Sequence, residues 1–185
     1  MITKELTSAT WKDFEKLFGL RGACGGCWCM AWRLKNADFE KQKGDGNKSA
    51  MKSFVKENKI IGIIGYIDSE PVGWCSVAPR EDFIKLENSR VLKPVDEKPV
   101  WSVTCLFMAK NFRKIGLSSL MLKAAVEFAK SKEAKIVEGY PVEPYSENIP
   151  AAFAWTGIPS AFLKAGFKEV ARRSKTRPIM RYHLE

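Results

Sequence analysis

One apolar run constrains the fold of this chain more than any other feature of its sequence. The run from Val100 to Ala109 (VWSVTCLFMA) is apolar almost throughout and rich in β-forming residues, which is typical of a strand covered on both faces. An amphipathic helix is expected directly after it, with one apolar face formed by Leu117, Leu120, Met121, Ala124, Ala125 and Phe128. This strand and helix indicate a sheet that is packed against helices.

The other segments predict one α/β (α+β) domain over residues 1–185, because the length fits a single compact unit. Two short helices are expected near the start, at 7–19 and around 50–56, with a glycine- and cysteine-rich loop between them. Further strands are expected at 60–68, 72–78, 134–140, 167–172 and 178–182, and a short helix at 159–165. These elements would form one mixed sheet.

Composition excludes several classes of protein. Hydrophobic residues make up 45% of the chain, which is enough to bury a core and argues against global disorder. The sequence has no run near the roughly 20 apolar residues of a membrane span, and Met1 to Leu6 lacks the apolar run of a signal peptide. Five cysteines are an odd number, so we expect reduced thiols in a cytoplasmic protein that does not bind membranes.

A basic, glycine-containing turn joins the core strand to its helix and has the chemistry of an anion site. The backbone N–H groups of Ile115 to Ser119 would point from the helix N-terminus toward phosphate oxygens, and Gly116 would allow close approach. Arg113 and Lys114 add positive charge. The glycines of the P-loop and of the dinucleotide-binding pattern are missing, which argues against ATP hydrolysis and NAD binding.

The same residues resemble the acetyl-CoA motif of the GCN5-related N-acetyltransferase (GNAT) family, Gln/Arg-x-x-Gly-x-Gly/Ala. The match is Arg113-Lys114-Ile115-Gly116-Leu117-Ser118, with serine where glycine or alanine is usual. The resemblance also includes the step Pro71-Val72-Gly73-Trp74 and the terminal Ala165-Gly166-Phe167. It implies a mixed, mostly antiparallel central sheet flanked by helices on both faces.

The resemblance further implies acetyl-CoA as co-substrate and direct attack on its thioester by a primary amine of a small molecule or peptide. The backbone of Leu106, Phe107 and Met108 would pair with the pantetheine arm, and the pyrophosphate would lie on Ile115 to Ser119, including Leu117 and Ser118. The acetyl group would lie where the fourth and fifth strands separate.

The proton-transfer residues are less clear from the sequence. Many family members have a tyrosine where this chain has Phe162, so the usual acid for the leaving thiolate is missing. Ser160, Tyr140 and Tyr145 are alternatives, or the thiolate leaves unassisted, since a thiol pKa near ~8.5 makes it a tolerable leaving group. Glu138 is the candidate general base, with an ion-paired glutamate and a water relay as the competing interpretations.

The cysteine-rich loop supports two interpretations. Cys24, Cys27 and Cys29 form C-x-x-C-x-C, but a structural zinc site usually needs four ligands, and the sequence offers no second ligand pair. We therefore expect no metal and favour a packed loop that lines the acceptor pocket with Trp28, Cys29, Trp32 and Trp74. Cys105 in the core strand is interpreted as a small apolar residue rather than an acyl-cysteine nucleophile.

The net charge of +10 is unevenly distributed. Residues 108–135 carry seven basic and two acidic side chains, whereas 136–163 carry Glu138, Glu143 and Glu147 and no basic residue. We expect the basic region to hold the coenzyme phosphates and the acidic region to attract a cationic amine. The alternatives are a basic nucleic-acid-binding module, disfavoured because no nucleic-acid-reading motif is found, and an acyl-CoA-binding protein without catalysis. A monomer and a homodimer both remain open.

Overall fold

The structure is a computed structural model that describes residues 1–144 and 154–184. Tyr145 and Glu147, both named above, lie outside the described residues.

Seven strands of the described chain form one sheet in the order β1-β2-β3-β4-β5-β7-β6. The strands are β1 (Ile2–Glu5), β2 (Gly62–Ile67), β3 (Glu70–Pro79), β4 (Trp101–Met108), β5 (Ile136–Gly139), β6 (Lys168–Arg172) and β7 (Pro178–His183). Neighbouring strands are antiparallel except β4 and β5, which run parallel. The mixed, mostly antiparallel sheet predicted from the sequence is confirmed.

Helices cover both faces of this sheet. They are α1 (Trp11–Phe18), α2 (Asn36–Lys41), α3 (Asp45–Lys56), α4 (Ile84–Glu87), α5 (Leu117–Ser131) and α6 (Pro159–Lys164). On one face, α5 packs on β2, β3 and β4 and is joined by α6. On the other face, α1 packs on β3, and its core includes Phe14, Trp28 and Trp74. The predicted core strand therefore lies in the middle of the sheet, as its apolar composition requires.

None of the described helices is long and apolar enough to cross a lipid bilayer.

Three of these elements, β1, α2 and α4, were not predicted from the sequence, and each is too short to show a clear apolar pattern. β1 is a four-residue edge strand of alternating exposed and half-buried residues, and Ile2 is 61% exposed. α2 buries none of its six residues. α3 begins at Asp45, earlier than its apolar residues alone indicate.

A β-bulge in β4 opens the sheet. Ser76 of β3 lies opposite Cys105, but the next residue, Val77, lies opposite Val103, so β4 has one extra residue at this point. Bulges bend a strand and increase its local twist. β4 pairs with β5 only at 101–103, and beyond Val103 the two parallel strands separate. This separation, called the split below, places the candidate site.

Candidate functional site

The backbone of β4 presents hydrogen-bond donors to the split. The N–H of Ala109 donates to the carbonyl of Val72 in β3 over 2.9 Å, whereas the N–H of Leu106 points to the other side. Backbone groups two residues apart on a strand point the same way, so the Met108 N–H also faces the split. Leu106 and Met108 belong to the stretch 106–108 that was expected to pair with an extended ligand. Phe107 lies between them, and its backbone groups point to β3.

A segment from the far side of the split already uses one of these donors. The Leu106 N–H donates to the carbonyl of Trp155 over 2.7 Å, and the Val142 N–H donates to the carbonyl of Gly157 over 3.0 Å. Residues 154–157, called the bridging segment below, thus lie between β4 and the chain that follows β5. An arm that pairs with Leu106 must displace the Trp155 carbonyl, whereas the Met108 N–H has no such competitor among the bonds of the described backbone.

The bridging segment depends on a glycine at position 157. Gly157 has φ +83°, and a β-carbon there would lie 2.7 Å from Cε2 of Phe162. Phe162 is fully buried, and its ring also lies against Gly139 of β5 and edge-on to Phe167. Phe162, which stands where many members of the family resembled by the sequence have a tyrosine, is therefore part of the apolar core.

The basic turn after β4 forms an open helix N-terminus. Gly116, with φ +82°, is the N-cap of α5 and supplies no side chain to the first N–H groups of the helix. The first N–H groups of a helix have no intrahelical acceptor, and the helix dipole favours an anion there. The surface of 113–116 is exposed, and the side chain of Ile115 is 65% exposed. This is the geometry expected for a phosphate site.

The residues predicted for this site have distinct places in the turn. Arg113 donates from Nε to the carbonyl of Met108 over 2.9 Å, while Lys114 is exposed with φ +63°. Leu117 is buried and anchors the first turn of α5. Ser118 is half-buried, and Ser119 donates from its N–H to the carbonyl of Gly116 over 3.2 Å. The N–H groups from 115 to 118 are consequently the better candidates for ligand contact.

Glu138 and Tyr140, the candidate base and acid, belong to a buried ionic network. The Glu138 carboxylate accepts hydrogen bonds from Arg181 Nε over 2.6 Å, from the Tyr140 hydroxyl over 2.7 Å and from an Arg80 terminal nitrogen over 3.3 Å. The Tyr140 hydroxyl also bonds to Arg80 and to Ser102, each at 2.8 Å. Both residues are fully buried.

This network favours a structural role for both residues. Burial, together with the negative charge of Glu138, raises the pKa of Tyr140 well above 10.0, so its hydroxyl is a weak acid. Glu138 lies opposite Ser102, in the stretch where β4 and β5 are still paired, and not in the split. The interpretation of Glu138 as an ion-paired glutamate fits this geometry better than the interpretation as a base. Ser160, the other candidate acid, is exposed in the first turn of α6.

A cavity of about 300 Å³ lies between the cysteine-rich loop and β4. Five aromatic side chains line it: Phe18, Trp32, Phe39, Phe107 and Trp155. Four cysteines also line it: Cys24, Cys27, Cys29 and Cys105. Lys43 is the one charged side chain among the described lining residues. Because the Trp155 carbonyl holds the Leu106 N–H, the cavity adjoins the split.

Two of the four predicted pocket residues line this cavity and two do not. Cys29 and Trp32 are in its wall. Trp28 stacks on Phe18 with ring centroids 5.7 Å apart, and Trp74 is fully buried against Phe14. Large aromatic residues gain most from complete burial, and here Trp28 and Trp74 form the core beneath the cavity. Phe18, Phe39 and Phe107 were not predicted as pocket residues, since their spacing is also that of ordinary core residues.

Cys29 is in an unusual environment for a buried thiol. Its Sγ accepts a hydrogen bond from Trp74 Nε1 over 3.1 Å. Hydrogen bonds from Cys105 and Trp74 and the nearby Arg33 guanidinium lower the pKa of Cys29 to about 7, against the opposing effect of burial. Arg33 is itself 3% exposed and bonds to the carbonyl of Ile61. Within the described residues, no group of three or more histidine, cysteine or acidic side chains is arranged to hold a metal ion.

Comparison with known proteins gives one family match. The model of the family described as Acetyltransferase (GNAT) family matches residues 28–151. A search of curated protein sequences finds no match.

Several solved structures share the fold. A ribosomal-protein-alanine N-acetyltransferase from Brucella melitensis has a TM-score of 0.55 and 13% identity, with 100% of each chain covered. A PaiA N-acetyltransferase from Thermoplasma acidophilum, solved with coenzyme A, has a TM-score of 0.55 and 14% identity, covering 99% of this chain and 98% of its own. A GNAT family acetyltransferase from Listeria monocytogenes has a TM-score of 0.59 and 8% identity, covering 99% of this chain and 94% of its own. At these identities the likeness extends to the fold alone.

Proposed function

The chain belongs to the GNAT acetyltransferase family, and from that premise we propose that it transfers the acetyl group of acetyl-CoA to a primary amine by direct attack. The observation that carries this proposal is the arrangement around the split. Outward-facing N–H groups on β4 lead, through an exposed basic turn, to the open N-terminus of α5. One extended ligand, with amides at one end and phosphates at the other, would match both the N–H groups of β4 and the N-terminus of α5.

Acetyl-CoA would bind as a substrate along this path. Its pantetheine amides would pair with β4 at Met108, and at Leu106 once the Trp155 carbonyl is displaced. Its pyrophosphate would accept hydrogen bonds from the N–H groups from 115 to 118, with Lys114 adding charge. The thioester carbonyl would then lie near the bulge, where β4 leaves β5.

The reaction follows from this placement. The amine nitrogen attacks the carbonyl carbon, the N–C bond forms, and a backbone N–H of β4 stabilises the developing oxyanion. The C–S bond then breaks and coenzyme A leaves as a thiolate, which takes up the proton lost by the nitrogen. Phe162 has no hydroxyl to assist, and a thiol pKa of ~8.5 makes unassisted departure feasible at neutral pH.

The charge pattern disfavours the nucleic-acid alternative. The C-terminal basic run, 172–177, makes many of its contacts within the protein. Arg172 pairs with Glu169 and Glu143, and Arg173 donates to backbone carbonyls at 91, 93 and 94. Arg177 bonds to Thr156. Arginines held in this way are poorly placed to contact a phosphate backbone.

Calorimetry with acetyl-CoA, followed by thiol release over a panel of primary amines, tests the proposal. We expect binding with roughly one ligand per chain and amine-dependent thiol release. A protein that does not bind acetyl-CoA would refute the proposal. Binding without turnover on any amine would favour the acyl-CoA-binding alternative instead.

A further inference from the structure

The cavity beside the split has the size and lining of a site for an aromatic ring. Its volume is about 300 Å³, and an engineered apolar cavity of about 150 Å³ is enough to bind benzene. One or two rings would therefore fill it. The five aromatic side chains of its wall would pack against such rings face to edge or offset.

The charges around the cavity do not suit a cation. The described residues that line it include no carboxylate, and Lys43, its one charged side chain, lies 3.1 Å from Glu40 outside the wall. An ammonium ion would enter without a counter-ion and lose its hydration. The thiols of the wall do not replace a carboxylate: burial raises the pKa of Cys27, and the negative charge that Cys29 gains near pH 7 is balanced by the nearby Arg33 guanidinium.

The glutamates that were expected to attract a cationic amine are committed elsewhere. Glu138 is fully buried between Arg80 and Arg181. Glu143 pairs with Arg172 over 2.9 Å. Both described glutamates are thus paired with arginines, which reduces the attraction that either could exert on a cationic amine.

One polar group of the wall has no hydrogen-bond partner in the part of the chain that the structure describes. The indole Nε1 of Trp32 is buried without a hydrogen-bond acceptor among the described residues. A buried donor without a partner costs stability until something supplies the acceptor.

We infer that this cavity binds the acceptor of the reaction and that the acceptor is an uncharged aromatic amine, with its NH₂ group bonded directly to the ring. The inference rests on the proposed function. In such an amine the nitrogen lone pair is shared with the ring, so the amine is neutral at pH values where an alkylamine, like lysine with a pKa of about 10.4, is a cation. It can attack without first losing a proton. The aryl-NH₂ and the acetyl thioester give the aryl acetamide and the free thiol of coenzyme A.

A pair of isomers tests the inference directly. Para-toluidine and benzylamine contain the same atoms, but the first is neutral and the second a cation at neutral pH. We expect kcat/KM for para-toluidine to exceed that for benzylamine and for spermidine by about tenfold or more. The same order is expected for binding to the free protein, measured by quenching of tryptophan fluorescence, to which Trp32 and Trp155 of the wall contribute.

A matched pair of variants tests whether the charge of the wall sets this preference. Ala31 lines the cavity, so Ala31→Asp adds a carboxylate and Ala31→Asn adds the same shape without charge. We expect the aspartate variant to shift the ratio of kcat/KM toward benzylamine by about tenfold, and the asparagine variant to leave it near wild type. A change of ratio of the same size in both variants would contradict the inference.

The outcomes separate the two proposals. If benzylamine or spermidine is acetylated faster than para-toluidine, or binds the free protein more tightly, the inference is overturned and the proposed function stands. If acetyl-CoA does not bind, the proposed function fails. The fluorescence comparison of the two isomers then still decides which amine the cavity prefers.

Discussion

The backbone N–H of Leu106 donates to the carbonyl of Trp155 over 2.7 Å, across the split between β4 and β5. Leu106 belongs to the strand expected to pair with the pantetheine arm. The ring of Trp155 lines the cavity proposed for the acceptor, so this bond connects the two proposed sites. On the proposed function, coenzyme binding and the shape of the cavity proposed for the acceptor would be linked through this one hydrogen bond.

We expect acetyl-CoA to displace the bridging segment. Because the arm and the Trp155 carbonyl compete for one donor, hydrogen exchange of residues 154–157 should become faster on binding, while the Met108 amide becomes protected. Exchange mass spectrometry and NMR measure both. The nucleotide half of coenzyme A, which lacks the arm, is the matched control and should leave the segment unchanged. Identical exchange with and without acetyl-CoA would mean that the arm does not reach Leu106.

Neutralising the basic turn should weaken coenzyme binding. Lys114→Gln removes an exposed charge beside the N-terminus of α5, and we expect the Kd for acetyl-CoA to rise about three- to tenfold at low salt and less at high salt. Titration calorimetry at two ionic strengths measures this. Lys123→Gln, on the exposed side of the same helix, should have little effect. Equal effects of both substitutions would show that the phosphates lie elsewhere.

Glu138→Gln should destabilise the protein without changing the chemistry. The buried carboxylate pairs with Arg80 and Arg181, and removing one partner of a buried ion pair costs about 3–5 kcal/mol. Denaturant unfolding measures this loss. Glu143→Gln, which breaks the exposed pair with Arg172, should cost at most about 1 kcal/mol. If a folded Glu138→Gln protein showed an altered pH profile of kcat, that result would support the interpretation of Glu138 as the general base.

Cys29 should titrate near pH 7 in the folded protein. Its folded-state pKa, about 7, lies below the usual 9.0, so the folded protein loses this proton first and the free energy of unfolding rises with pH between these values. The stabilisation is lost as pH falls through about 7. The pKa values of Cys105 and Cys75 are raised from the usual 9.0. Above that pH, these two buried thiols therefore lower the free energy of unfolding as the pH rises.

The thiolate absorbance of the native protein measures this titration. Cys29→Ser should abolish the step near pH 7, whereas Cys24→Ser, at an exposed position of the same loop, should leave it in place. A step that survives the loss of Cys29 would assign the thiolate to another cysteine of the cavity.

Phe162→Tyr should lower stability without increasing the rate. The ring is fully buried against Gly139 and Gly157, so an added hydroxyl would lack a partner and cost about 1–3 kcal/mol. Unfolding experiments and single-turnover thiol release measure the two effects. A faster release with a new dependence on pH would show that this position can supply the acid in this chain.

Several parts of the fold and site could be predicted from the sequence because they depend on neighbouring residues. The apolar run of β4 and the helical spacing of α5 are local patterns, and Gly116 marks the turn because it adopts φ +82° at the helix N-cap. The elements that escaped prediction, β1, α2 and α4, are too short to show an apolar period. Local patterns also predicted that the cysteine-rich loop lines the acceptor pocket, and in the structure its residues Cys29 and Trp32 line the cavity beside the split.

The rest of the site was decided by contacts between distant parts of the chain. Glu138 became a buried ion pair because Arg80 reaches it from the turn after β3 and Arg181 reaches it from β7. The cavity proposed for the acceptor is lined by α1, the cysteine-rich loop, α2, β4 and the bridging segment, which no single segment of sequence reveals. The sequence by itself determined most of the elements and the basic, glycine-containing turn before α5, because both follow from local backbone and hydrophobic preferences. Tertiary structure alone decided which charges are neutralised and which rings face the cavity, because burial and pairing depend on residues far apart in the chain.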